Sequence, residues 1–174
     1  MKKNLFVALF TFAIIGFAQS SYAQLSATSA AVTVNINLTD ALSITLGASP
    51  TVDFDYNLAT DYTQAKTVEK AGHFTVVSNR EYDLSVKAEA PFSTGGPSLG
   101  IVSVEVNPTN APQNGGTVNQ NVPLSETASP LLTGANPSLG AVYQVDYTID
   151  DATELLGLAA GTYTTTVTYT ATQL

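Results

Sequence analysis

Apolar and polar residues alternate along most of this chain. In AVTVNINL, residues 31–38, Val32, Val34, Ile36 and Leu38 fall on one side and Thr33, Asn35 and Asn37 on the other. LSITL repeats the pattern with Leu42, Ile44 and Leu46, and TVDFDY with Val52, Phe54 and Tyr56 against Asp53 and Asp55. HFTVVS points Phe74 and Val76 inward. EYDLSVKAE sets Tyr82, Leu84, Val86 and Ala88 against Glu81, Asp83, Ser85, Lys87 and Glu89. IVSVEV contributes Val102, Val104 and Val106, and VNQNVPL, a poorer match, Val118, Val122 and Leu124. AVYQVDYTI places Tyr143, Val145, Tyr147 and Ile149 opposite Gln144, Asp146 and Thr148. The stretch GTYTTTVTYTATQL, residues 161–174, aligns Tyr163, Thr165, Val167, Tyr169 and Ala171.

A period of two is the strand period, because successive side chains leave opposite faces of a pleated chain. The many Thr, Val and Tyr residues suit such a half-buried surface. The pattern predicts an all-β fold of eight or nine short strands. Strands with one dry face must stack those faces, which predicts an antiparallel β-sandwich. No helix-length period separates the strands, which argues against a parallel α/β sheet. DDATELL, residues 150–156, is the exception. It predicts a helical turn capped by Asp150 or Asp151, with Glu154 completing a capping box. Gly, Pro and Asn mark long loops over residues 91–100, 107–121 and 125–140. PSLG occurs in the first and the last of these, at 97–100 and 137–140, each copy ahead of a predicted strand.

The front of the chain changes the picture of where it works. Lys2 and Lys3 precede the apolar run LFVALFTFAIIGFA, which ends in the small-residue pattern Ser21-Tyr22-Ala23. The run is shorter than the roughly 20 residues needed to span a bilayer. This is the layout of a secretory signal cleaved after Ala23. The expected domains are therefore a signal peptide over residues 1–23 and a single sandwich over residues 24–174, with no membrane insertion after cleavage. Cleavage removes two of the six basic residues and leaves four against 14 acidic ones. Such a surface repels nucleic acid and anionic lipid. There is no cysteine, which excludes a lipoprotein anchor, thiol catalysis and Cys-based metal sites.

Candidate chemistry is sparse. His73 is the sole histidine. It precedes an apolar strand, reads as a strand-end surface residue, and has no G-x-S-x-G elbow to serve. Asp146, Asp150, Asp151 and Glu154 are candidate Ca²⁺ ligands, but the D-x-[DN]-x-[DN]-G spacing of a calcium loop is missing. The default for them is a solvated face and a helix cap. Paired carboxylates of a glycosidase would need an aromatic-lined cleft, and there is no Trp. The tyrosines fall mostly on dry faces, except Tyr62 in a polar segment. No catalytic residue, metal or cofactor is expected.

One segment resembles a known family. In LAAGTYTTTVTYTA, residues 158–171, Leu158 and Gly161 precede Tyr163 at the start of a strand. This resembles the tyrosine corner of immunoglobulin-like sandwiches. The cysteine of an antibody-type domain would fall at Thr165, which leaves the bacterial Ig-like domains. The layout over Ala31–Leu38 and Gly161–Leu174 is similar to chaperone–usher fimbrial subunits and their spore-coat-U relatives. That resemblance implies an incomplete sandwich and β-strand addition between identical or related subunits, with Val32, Val34, Ile36 and Leu38 as the assembly strand, and a periplasmic chaperone as partner. The resulting expectation is an exported, non-enzymatic structural or adhesive protein at the cell surface, or in the periplasm. The alternative is a stand-alone binding module for carbohydrate or protein, using the loops between Pro91 and Gly140.

Overall fold

The computed structural model describes residues 25–107 and 115–174. The expected signal peptide and part of the second loop lie outside the described residues. The chain divides into two units, residues 1–37 and 38–174.

The larger unit is an all-β sandwich of two antiparallel sheets. Nine strands occur among the described residues: β1 (Leu42–Leu46), β2 (Lys66–Ser78), β3 (Tyr82–Ala88), β4 (Ser103–Val106), β5 (Thr117–Val118), β6 (Val122–Pro123), β7 (Ser129–Ala135), β8 (Ser138–Ile149) and β9 (Val167–Gln173). The first sheet has the order β1-β2-β8-β4-β6 and the second β5-β7-β3-β9. Among the described residues, helical structure is limited to 3-10 turns at Ala59–Thr63, Leu99–Ile101 and Thr153–Leu155. Among the described residues no helix is long and apolar enough to cross a membrane.

The core forms where the two sets of alternating residues meet. Phe74, Val76, Val104, Tyr143 and Val145 from the first sheet are fully buried against Tyr82, Leu84, Val86, Leu131 and Leu132 from the second. Each buried aliphatic or aromatic side chain contributes about 1.5–3 kcal/mol relative to exposure. Two hydroxyl pairs bridge the sheets inside this core. Tyr82 of β3 meets Tyr143 of β8 at 2.5 Å, and Tyr147 of β8 meets Tyr169 of β9. A buried phenol without a partner is costly, so these pairs supply what cysteine-free sheets lack: a directional link.

Five expectations are corrected. TVDFDY, residues 51–56, rests against the core without forming a strand, since no neighbouring strand pairs with it among the described residues. Ala31–Leu38 forms no strand here; periodicity supplies a face, but a ladder also requires a partner. The expected loop over 125–140 contains β7 and the start of β8. Its strand was hidden because Leu131 and Leu132 are both buried beside a register shift, which breaks the period of two. His73 is not a surface residue but 4% exposed. A bulge between Lys70 and Phe74, with Gly72 at φ 59°, turns both His73 and Phe74 inward. The capping box at 150–156 is also absent. Asp151 accepts the Thr153 N–H at 2.8 Å, but Glu154 reaches Ser98 instead.

Candidate functional site

Among the described residues, the sheets end in the edge strands β1 and β9 on one side and in the two-residue strands β6 and β5 on the other; β1 pairs in a ladder only with β2, and β9 only with β3. The two edges are neighbours on the same side of the sandwich. β1 points Leu42, Ile44 and Leu46 toward the core, opposite Ser78, Val76 and Phe74 in the ladder. Those three partners are fully buried, yet Leu42 is 39% exposed and Leu46 55%. Across from them, β9 turns Val167, Tyr169 and Ala171 inward, and Val167 and Ala171 are only half-buried. An inward apolar row that stays wet marks a cleft between the two rims.

Both rims continue beyond their ladders. After Gly47 the chain runs on through Val52, Phe54 and Tyr56, which rest half-buried against the core without strand partners among the described residues. Before β9, residues 163–166 form no ladder, although the Thr164 and Thr166 carbonyls accept the Ser93 and Glu89 N–H at 3.1 and 2.8 Å, which leaves the opposite edge of the run open. The Tyr163 hydroxyl donates to the Ala159 carbonyl at 2.7 Å, four residues upstream. Each rim thus offers a run of backbone N–H and C=O groups, the usual template for another strand.

One end of the cleft is fastened. Gln173 of β9 donates from Nε2 to the Ala41 carbonyl at 3.2 Å and to Asn79 Oδ1 at 2.9 Å. Asn79 in turn accepts the Ala41 N–H at 2.9 Å and donates to the Thr39 carbonyl at 2.8 Å. Sequence reading missed these two amides; polar residues at strand ends carry no periodic signal.

Behind the two rims lies a buried aromatic cluster. His73 Nε2 lies 2.8 Å from the Tyr147 hydroxyl, which is paired with that of Tyr169. The imidazole stands edge-on to both rings, 5.6 Å from each centroid. His73 Nδ1 is buried without a hydrogen-bond partner among the described residues. Burial, aided by the charge of Lys70, pushes the His73 pKa below its ordinary 6.5. Burial also pushes Tyr147 up to about 12 and raises Tyr169.

The smaller unit is described from residue 25. Its described residues carry no strand, and Val32, Val34 and Ile36 are 79–83% exposed. Leu38, at the start of the larger unit, is 86% exposed. Four alternating apolar side chains in water are an unusual surface for a soluble chain.

The other candidates do not come together. Asp146 lies on the outer face of β8, where Asn107 and Gln144 donate to its carboxylate at 2.9 and 3.1 Å. Asp151 and Glu154 are occupied by Thr153 and Ser98. Among the described residues no three His, Cys, Asp or Glu side chains are placed to share a metal ion. Tyr62 is half-buried and packs on Tyr56 with ring centroids 5.0 Å apart. The loop over 91–100 is tied down by Ser93 N–H to the Thr164 carbonyl at 3.1 Å and by Ser98 to Glu154.

A scan against protein-family models finds no match, and a search of curated proteins finds none. Among solved structures, a chaperone–usher pilus aligns with a TM-score of 0.42 at 11% sequence identity, over 86% of this chain and 98% of that chain.

Proposed function

We propose that this chain is an exported, non-enzymatic structural subunit that assembles by β-strand addition. In that assembly, residues 31–38 of one copy enter the cleft between β1 and β9 of the next. The observation that carries the reading is a matched pair within one chain. A cleft leaves Leu42 and Leu46 wet, and a segment of strand period leaves Val32, Val34, Ile36 and Leu38 wet. Burying four such side chains is worth about 6–12 kcal/mol at about 1.5–3 kcal/mol each. Backbone pairing to both rims adds to this, against an association cost of about 4–15 kcal/mol. The balance permits stable polymers. Val32, Val34, Ile36 and Leu38 serve as the entering strand, and Tyr163 steadies the turn ahead of the β9 rim. A periplasmic chaperone that caps the open side before assembly fits the same chemistry.

The test is to purify the exported chain and run it unheated in SDS. A ladder of multimers is expected, collapsing on boiling. Val34→Asp places a charge on the entering strand at an exposed position, so it should leave the thermal melt within about 0.5 kcal/mol of wild type and abolish the ladder. A wild-type chain that stays monomeric at every concentration and melts cooperatively would sink the proposal.

A further inference from the structure

One residue engages both rims of the cleft. The His73 carbonyl accepts the Gly47 N–H at 2.8 Å, which holds the end of β1. Its imidazole packs edge-on against Tyr169 of β9 and bonds the Tyr147 hydroxyl that Tyr169 shares. Gly47 lies between the two halves of one rim, and Tyr169 lies within the other. The bulge that turns His73 inward is shaped to this contact: a Cβ on Gly47 would stand 2.3 Å from the Gly72 carbonyl oxygen.

We propose that His73 is an acid-operated clasp on the cleft, closing β9 against the first sheet while neutral and releasing it when protonated. The groups facing it are Tyr147 from β8, Tyr169 from β9 and Lys70 from its own strand, while β1 contributes only backbone. None of them is a carboxylate. In the protonated ring both nitrogens carry N–H, which leaves Nδ1 a buried donor with no acceptor among the described residues and makes Nε2 unable to accept from Tyr147, beside a lysine charge. Both tyrosines stay neutral across the working range, since burial raises them. His73 is therefore the group of this cluster that gains charge as pH falls below the ordinary 6.5 of an imidazole. The sign follows from its lowered pKa. Protonation is easier when the ring is released to water, so the clasp is intact above the ordinary 6.5 and is lost as pH falls below it. The contact that opens first is the one between β9 and His73, after which the edge strands β9 and β1 fray from β3 and β2 while β8 stays paired. The consequence for assembly rests on the strand-addition reading: acid should speed entry of a donor strand.

The experiment uses the full exported chain carrying Val34→Asp, which keeps it monomeric on that reading. Amide protection of residues 167–173 and 42–46 is measured from pH 7.5 to 5.0 alongside the imidazole proton resonances of His73. Protection of both rims should fall about tenfold per pH unit from the ordinary 6.5 down to the His73 transition and level off below it, while Tyr143 and Val145 in β8 stay protected. His73→Gln keeps a donor toward Tyr147 and cannot titrate, so its rims should show no pH-dependent loss. A synthetic peptide of residues 29–40 should enter faster at pH 5.5 than at 7.5 in the His73 protein and equally fast in His73→Gln. Rims that stay protected through the His73 transition overturn the clasp, as does equal loss in His73→Gln or uniform loss across β8. If His73→Gln does not fold, the coincidence of rim exposure with the His73 resonances still decides. Rim protection that follows His73 while no peptide enters overturns the assembly consequence alone and points back to the strand-addition reading.

Discussion

Tyr82 and Tyr143 show how a single atom holds two sheets. Their hydroxyls meet at 2.5 Å inside a core where both side chains are fully buried. Tyr82→Phe removes one oxygen and leaves the Tyr143 hydroxyl without that bond. The expected loss is about 1–3 kcal/mol, the cost of a buried polar group stripped of its partner, read from the urea midpoint. Leu84→Ala, at a fully buried position, should cost more, about 2–5 kcal/mol, because it leaves a cavity. Tyr82, Tyr143 and Leu84 were legible as core from the period of two alone. His73 was not. Its inward turn depends on Gly72 at φ 59° and on a register shift against β8, and a local pattern does not contain its own pairing register.

Strands and their connections carry the next layer. Across β2, β8 and β4 the ladder places Glu69, Asp146 and Glu105 side by side. Like charges on neighbouring strands repel, whereas Asp146 is screened by amide donors from Asn107 and Gln144. Glu69→Gln should therefore stabilise the domain by about 0.2–1 kcal/mol, read as a higher melting temperature at low salt. Where β1 ends, Gly47→Ala should do the opposite. The new Cβ would meet the Gly72 carbonyl at 2.3 Å, and backbone cannot swing aside as a side chain can. A loss of about 1–3 kcal/mol is expected, with β1 the first strand to exchange its amides. The period of two marked β1, β3, β4 and β8 correctly. It failed for β7, where Pro130, a bulge and adjacent Leu131 and Leu132 erase the alternation. It also marked Ala31–Leu38 as a strand, although nothing among the described residues pairs with it.

At the scale of the whole molecule, charge governs how copies meet. The full sequence has a net charge of −8, and cleavage after Ala23 would make it more negative by two. Copies repel before any strand is shared. Raising salt from about 10 mM to about 150 mM shortens the screening length from about 30 Å to about 8 Å. On the strand-addition reading, growth of the SDS-resistant ladder should accelerate over that range, and a rate that falls with salt would count against contact between like-charged copies. The open side between β1 and β9 is itself a whole-molecule property. It exists because two edge strands from different sheets lie on one side of the sandwich with their inward apolar rows unfilled.

The division between sequence and tertiary structure follows from this. Alternation along the chain determined the fold class, the dry faces of most strands and the apolar row Val32, Val34, Ile36 and Leu38, because side-chain direction in extended chain is a local consequence of the pleat. Composition determined the acidic surface and the absence of thiol chemistry. Only the tertiary structure decided which strands are edges, which inward rows stay wet, and that His73 is buried against Tyr147 and Tyr169. Those are matters of pairing and register between residues as far apart as Gly47, His73 and Tyr169, and pairing is set by the sum of long-range contacts rather than by any one stretch of sequence.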